Sequence, residues 1–171
     1  MLDVELYKED FSRRKQLAKL IDRYYKELHS DKYISDIDKC LRFIDTQYRN
    51  GKEIWILTDD DKPIGYGIIC INNEYGMLED SVEQEYLYVK KKYRKGIGAS
   101  MLLRITLRGC VHYGLDATAP TYIDGEANKI AKSLGMTSDI EYVYMDKDKA
   151  KDCVNRLDRL IERRSKNVIK E

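Results

Sequence analysis

The stretch from Glu85 to Leu103, EYLYVKKKYRKGIGASMLL, changes character three times. Alternating apolar residues give way to a basic run, and the basic run to glycines that open an apolar helical pattern. A strand that ends at a glycine loop and restarts as a helix leaves backbone N–H groups pointing outward without partners. Such a junction is suited to holding an anion, because the helix dipole and the free N–H groups act in the same direction.

On the N-terminal side, SRRKQLAKLIDRYYKEL places Leu17, Leu20, Ile21, Tyr24 and Leu28 on one helical face, with Ser12 as a cap. A second helix is predicted to begin at SDID, a capping-box variant with Ser35 and Asp38, to carry Ile37, Cys40, Leu41, Ile44 and Tyr48 inward, and to stop at Asn50-Gly51. EIWILTDDDKPIGYGIICI reads as a hairpin from about Glu53 to Ile71 around an acidic, Pro-containing turn, and SVEQEYLYV as a third strand. On the C-terminal side the predicted elements are a helix from Gly98 to about Tyr113, a strand near Leu115 to Ala119, and a helix in GEANKIAKSLGM. A strand in DIEYVYMDK and a charged tail helix follow, the helix carrying Cys153, Val154, Leu157, Leu160 and Ile161 on one stripe. This order predicts one mixed, mostly antiparallel sheet with helices on its faces. It also predicts a single domain over residues 1–171, with a core of about 1–147 and the tail helix at about 148–165, packed on its own domain or forming a dimer contact.

Charge and composition exclude several classes. With 31 Lys plus Arg against 30 Asp plus Glu, the net charge is +1, which argues against a nucleic-acid or anionic-membrane partner, so anion chemistry has to be local. Cys40, Cys70, Cys110 and Cys153 are scattered singly, without the close pairs of zinc or redox motifs, and read as reduced core fillers. No metal is expected. His29 and His112 lack metal-spaced partners and a nucleophile pattern. No stretch approaches the ~20 apolar residues of a membrane span, so a soluble, cytoplasmic protein is expected.

A dinucleotide fingerprint fails because Met101 occupies its third glycine position, and no P-loop spacing occurs. The junction instead resembles the acyl-CoA loop of the GNAT superfamily of N-acetyltransferases: an apolar strand ending near a Val, Gln/Arg-x-x-Gly-x-Gly/Ala, then a helix. Here the matching residues are YLYV, Tyr93-Arg94 and Gly96-x-Gly98, with AKSLGM downstream, over roughly residues 1–147. The resemblance implies the GNAT fold and acetyl-CoA as acyl donor. It implies that Leu87, Tyr88 and Val89 meet the pantetheine arm, and that Arg94, Lys95, Gly96, Ile97, Gly98, Ala99 and Ser100 form the pyrophosphate cradle. Tyr93 stands where the family usually has Arg or Gln, with Arg94 one residue later. The Lys90-Lys91-Lys92 run reads as a solvated turn.

Acetyl transfer needs a neutral amine, a polarised thioester oxygen and a stabilised leaving thiolate. Glu83 and Glu85 share a strand face with Leu87 and Val89, where unpaired carboxylates are costly, and both match positions at which the family carries a general base. Solvated strand-end residues, or partners for nearby lysines, are the competing reading. The family's usual tyrosine acid has no counterpart in either registration of the last helix, so Tyr122 and unassisted thiolate departure are the alternatives. Asn128 either meets pantetheine, as the family's Asn does, or is an ordinary helix residue. The function implied is acetyl transfer to an amine, small-molecule or protein. A degenerate domain that binds acyl-CoA or a protein partner without turnover is the alternative.

Overall fold

Strand formation begins before the first helix. Leu2–Leu6 (β1) pairs antiparallel with Glu53–Asp59 (β2), from Leu2 opposite Asp59 to Leu6 opposite Trp55. The sequence reading starts with a helix and misses this strand, because an edge strand gains its order from ladder bonds to its neighbour rather than from a local apolar pattern. The computed structural model describes residues 1–29, 34–72, 81–94, 98–120, 132–133, 137–138, 142–145 and 147–168.

The remaining strands are Lys62–Asn72 (β3), Ser81–Val89 (β4), Asp116–Pro120 (β5), Thr137–Ser138 (β6) and Tyr142–Met145 (β7). Among the described residues the sheet order is β1-β2-β3-β4-β5-β7-β6. β4 runs parallel to β5, whereas β5 with β7 and β6 with β7 are antiparallel, the mixed and mostly antiparallel pattern predicted. The helices are Phe11–His29 (α1), Ile37–Arg49 (α2), Gly98–Tyr113 (α3) and Lys147–Val168 (α4), with a short 3-10 turn at Lys91–Tyr93. Of GEANKIAKSLGM only Lys132 and Ser133 are described, and both are helical.

Local chemistry corrects three details. The cap of α1 is Asp10, not Ser12: its carboxylate accepts from the N–H groups of Ser12 at 2.6 Å and Arg13 at 3.2 Å. Likewise α2 is capped by Asp36 through Lys39 N–H at 2.8 Å, while the Ser35 hydroxyl donates to Asp22. A carboxylate accepts these charge-assisted bonds more strongly than a hydroxyl. The β2–β3 turn is Asp60-Asp61, at φ 47° and 62°, and Pro63 lies inside β3. Positive φ at both central residues matches the right-handed twist of the strands it joins. The predicted stop of α2 holds, with Asn50 at the cap and Gly51 at φ 75°.

The chain divides into two compact units. In Met1–Ile68 with Tyr86–Leu102, Leu17, Ile21, Ile44, Ile56, Tyr66 and Tyr88 are buried together, and Arg14 of α1 binds Asp45 of α2 with Nε 2.8 Å from Oδ1. In Ile69–Glu85 with Leu103–Glu171, Val82, Leu107, Cys110, Met145, Cys153 and Leu157 form the core. There Arg104 and Arg108 pair with Asp158, and the Asp116 carboxylate accepts the Lys147 N–H at 3.0 Å at the start of α4. The apolar stripe of α4 therefore packs inside this unit, although Leu160 stays 48% exposed.

A side chain at Gly65 would place its Cβ 2.6 Å from the Tyr88 carbonyl oxygen, a backbone atom that cannot yield. Gly65→Ala should therefore destabilise the chain by about 1–3 kcal/mol, read as a lower Tm in thermal unfolding. An unchanged Tm would refute the close approach.

Candidate functional site

Strand β4 supplies most of the predicted site, and backbone parity sets which groups it offers. Lys90 N–H donates to the Ile64 carbonyl at 2.9 Å, so the backbone groups of even-numbered residues near this end face β3. Those of Leu87 and Val89 face the opposite way. On that side the parallel register with β5 covers Ser81, Val82 and Glu83, whereas β4 itself continues to Val89. Leu87 is 36% exposed and Val89 is buried.

Beyond β4 the chain makes its 3-10 turn. Lys90 is half-buried and its ammonium donates to the Pro63 carbonyl at 2.8 Å, with burial lowering its pKa. This corrects the reading of the whole lysine run as solvated: Lys91 and Lys92 are exposed, but Lys90 is a structural tie. Tyr93 donates its hydroxyl to Asp59 at 3.0 Å, and the Lys92 ammonium sits 4.5 Å over its ring. Gly98 opens α3, is buried, and a Cβ there would come to 2.8 Å from Leu57 Cδ2, so a larger residue would make the Leu57 side chain shift. Ala99 and Ser100 are half-buried in a first turn without an acidic residue, leaving its N–H groups electrostatically suited to an anion. Lys95, Gly96, Ile97, Tyr122 and Asn128 lie outside the described residues.

Arg94 is heavily engaged. Its Nε donates to the Val89 carbonyl at 2.7 Å, its guanidinium pairs with Glu27 of α1, and its centre lies 5.5 Å over the Tyr88 ring. Tyr88 also donates its hydroxyl to Glu27, at 2.8 Å. Burial first, and the bond to Glu27 next, push the Tyr88 phenol up to about 12. For Glu27, partial burial acts upward, but the bonds from Tyr88, Arg94 and Arg23 outweigh it and hold the carboxyl below its ordinary value. Its bonds therefore contribute stability in full above that ordinary value and lose it as pH falls through the lowered one.

The two candidate bases occupy the other end of β4. Glu83 is buried at 3% exposure and Glu85 is half-buried. Cys70 of β3 donates its thiol to Glu85 Oε1 at 3.4 Å, and the Sγ of Cys70 and one carboxylate oxygen each of Glu83 and Glu85 lie within 4.8 Å of one another. Sequence reasoning missed Cys70 and Glu27 as neighbours of site residues. Neither carries a spacing signal, since both meet β4 or its loop through tertiary contact. Cys40, Cys110 and Cys153 are buried, and burial pushes the Cys110 thiol up to about 12, whereas Cys70 is only partly covered. Native-state alkylation followed by mass spectrometry should modify Cys70 first and the other three only on unfolding. Equal labelling of all four would contradict these burials.

Comparison with known proteins follows the same lines. The model of the Acetyltransferase (GNAT) family matches residues 14–127. No curated protein sequence matches. Among solved structures, an N-acetyltransferase from Staphylococcus aureus Mu50 is similar at 16% identity and a TM-score of 0.65, covering 86% of this chain and 99% of that one. The yncA protein of Salmonella typhimurium, solved with its cofactor acetyl-CoA, is similar at 13% identity and a TM-score of 0.65, over 85% and 94% of the two chains. A mutant AtaT toxin bound to the C-terminus of the antitoxin AtaR and acetyl-CoA is similar at 12% identity and a TM-score of 0.62, over 88% and 96%. With two-thirds of its length matched by the family model, this chain belongs to the acetyltransferase (GNAT) family and is an acyl-CoA N-acyltransferase.

Proposed function

We propose that this enzyme transfers an acetyl group from acetyl-CoA to an amine acceptor by direct attack, with Glu85 or Glu83 as general base. The observation that carries the reading is a buried carboxylate, Glu83, and a half-buried one, Glu85, two residues apart on β4. A buried carboxylate is costly unless it is paired or put to work. Glu85 lies closer to the loop in sequence, and its Oε1 accepts a bond from the Cys70 thiol. The mechanism would use the carboxylate, directly or through one water, to take a proton from the amine as it attacks the thioester carbon; the C–S bond then breaks and CoA leaves as its thiolate, protonated by Tyr122 or departing unassisted.

The residues present fit acyl-CoA. The outward backbone groups of Leu87 can pair with the amides of the pantetheine arm, and the first turn of α3, from Gly98 through Ala99 and Ser100, offers N–H groups and a hydroxyl to the pyrophosphate. Lys95, Gly96, Ile97 and Asn128 complete this set as proposed contacts, and Tyr122 is the proposed acid. When bound, acetyl-CoA supplies the activated thioester. The protein positions it and manages the proton. As part of this reading, the cavity of about 140 Å³ lined by Tyr25 of α1 and by Lys39, Cys40 and Phe43 of α2 is assigned to an apolar group of the amine. All four cysteines are free, which supports a reducing, cytoplasmic compartment as part of this reading. Among the described residues no helix is long and apolar enough to cross a membrane.

Thiol release from acetyl-CoA, measured against small amines, polyamines and lysine peptides, tests the proposal. Glu85→Gln should lower kcat by about 10²–10⁴-fold with CoA binding retained. If Glu83→Gln alone does so, the base is Glu83. If neither substitution changes kcat, the carboxylate-base reading fails. Binding of CoA without release by any amine would favour a non-catalytic acyl-CoA module.

A further inference from the structure

We infer that Glu27 is a positioning residue for the acyl-CoA end of the site: it fixes Arg94 as a strut on the end of β4, so that Arg94 is not the cation that meets phosphate. The inference rests on the acyl-CoA reading above. One carboxylate gathers three donors. The Tyr88 hydroxyl lies 2.8 Å and Arg23 Nε 3.5 Å from Glu27 Oε1, while the Arg94 guanidinium takes Oε2. The same guanidinium reaches back through Nε to the Val89 carbonyl at 2.7 Å and covers the Tyr88 ring.

Two consequences follow from that geometry. Val89 O is the last outward-facing carbonyl of β4, and Arg94 occupies it, so the edge left for an acyl-pantetheine arm is centred on Leu87. The charge of Arg94 is balanced by Glu27, so recognition of the pyrophosphate falls to backbone N–H groups at the start of α3. The arrangement requires arginine. Only a planar fork bonds a carboxylate and a carbonyl at once through different nitrogens, whereas a lysine is a point charge on a flexible stem.

The test is titration calorimetry on the full chain with two ligands, CoA and S-acetylpantetheine, which carries no phosphate. The proteins are wild type, Glu27→Gln, Arg94→Gln, Arg94→Lys and the Glu27→Gln/Arg94→Gln double variant. A strut predicts that Arg94→Lys and Arg94→Gln weaken both ligands by the same factor, about twofold to fivefold. Glu27→Gln should match them, and the double variant should add nothing to either single change. KM for acetyl-CoA should move by that factor, with kcat and the KM of the amine unchanged.

The inference is overturned if Arg94→Lys binds CoA like wild type while Arg94→Gln loses CoA affinity and keeps S-acetylpantetheine affinity, since Arg94 would then meet phosphate through its charge. It is overturned equally if Glu27→Gln tightens CoA binding, or if the single effects add. Failure of the wild type to bind either ligand removes the acyl-CoA reading itself, and the inference with it. Binding with additive effects removes only the strut.

Discussion

The backbone hydrogen-bond account of β4 is the constraint on which the rest of the structure depends. A strand inside a sheet offers N–H and C=O groups to both sides, and buried backbone groups are almost always paired. β4 keeps a β3 partner as far as Lys90, but among the described residues its register with β5 covers Ser81 to Glu83. Past that point the outward groups need other partners. Arg94 supplies one for the Val89 carbonyl, 2.7 Å from its Nε. The close packing around this strand serves the same end. Gly65 lets β3 lie against the Tyr88 carbonyl, and Gly98 lets α3 begin against Leu57.

Charge is handled locally throughout. A chain with 31 basic and 30 acidic residues has no long-range field to attract a substrate, so each functional charge is set by its immediate neighbours. Glu27 is held ionised by two arginines and a phenol, which rigidify the loop side of β4. Glu83, buried, and Glu85, half-buried, are two residues apart on the strand and lie beside the Cys70 thiol.

Legibility in the sequence followed the strength of local signals. β4 at Ser81–Val89 and α3 at Gly98–Tyr113 match their predicted bounds, because alternation at period two and a glycine-led apolar run are unambiguous patterns. β1 and β6 were not legible: the first is an edge strand rich in acids, and the second spans only Thr137–Ser138. The caps were misassigned by one or two residues because Ser and Asp are both good capping residues, and the choice between them rests on which side chain reaches the free N–H. Lys90 looked like one of three solvated lysines, yet the Pro63 carbonyl lies within its reach and makes it a tie.

By itself the sequence determined the order of the major elements, the glycine loop, the family and the pair of strand carboxylates, since each rests on neighbours within a few residues along the chain. Tertiary structure alone decided that Arg94 faces Glu27, that Cys70 meets Glu85 and that Tyr93 binds Asp59. Those partners are separated in sequence by 67, 15 and 34 positions. A side chain's hydrogen-bond partner depends on which strands and helices the folded chain brings within about 3 Å, and no local pattern encodes that distance.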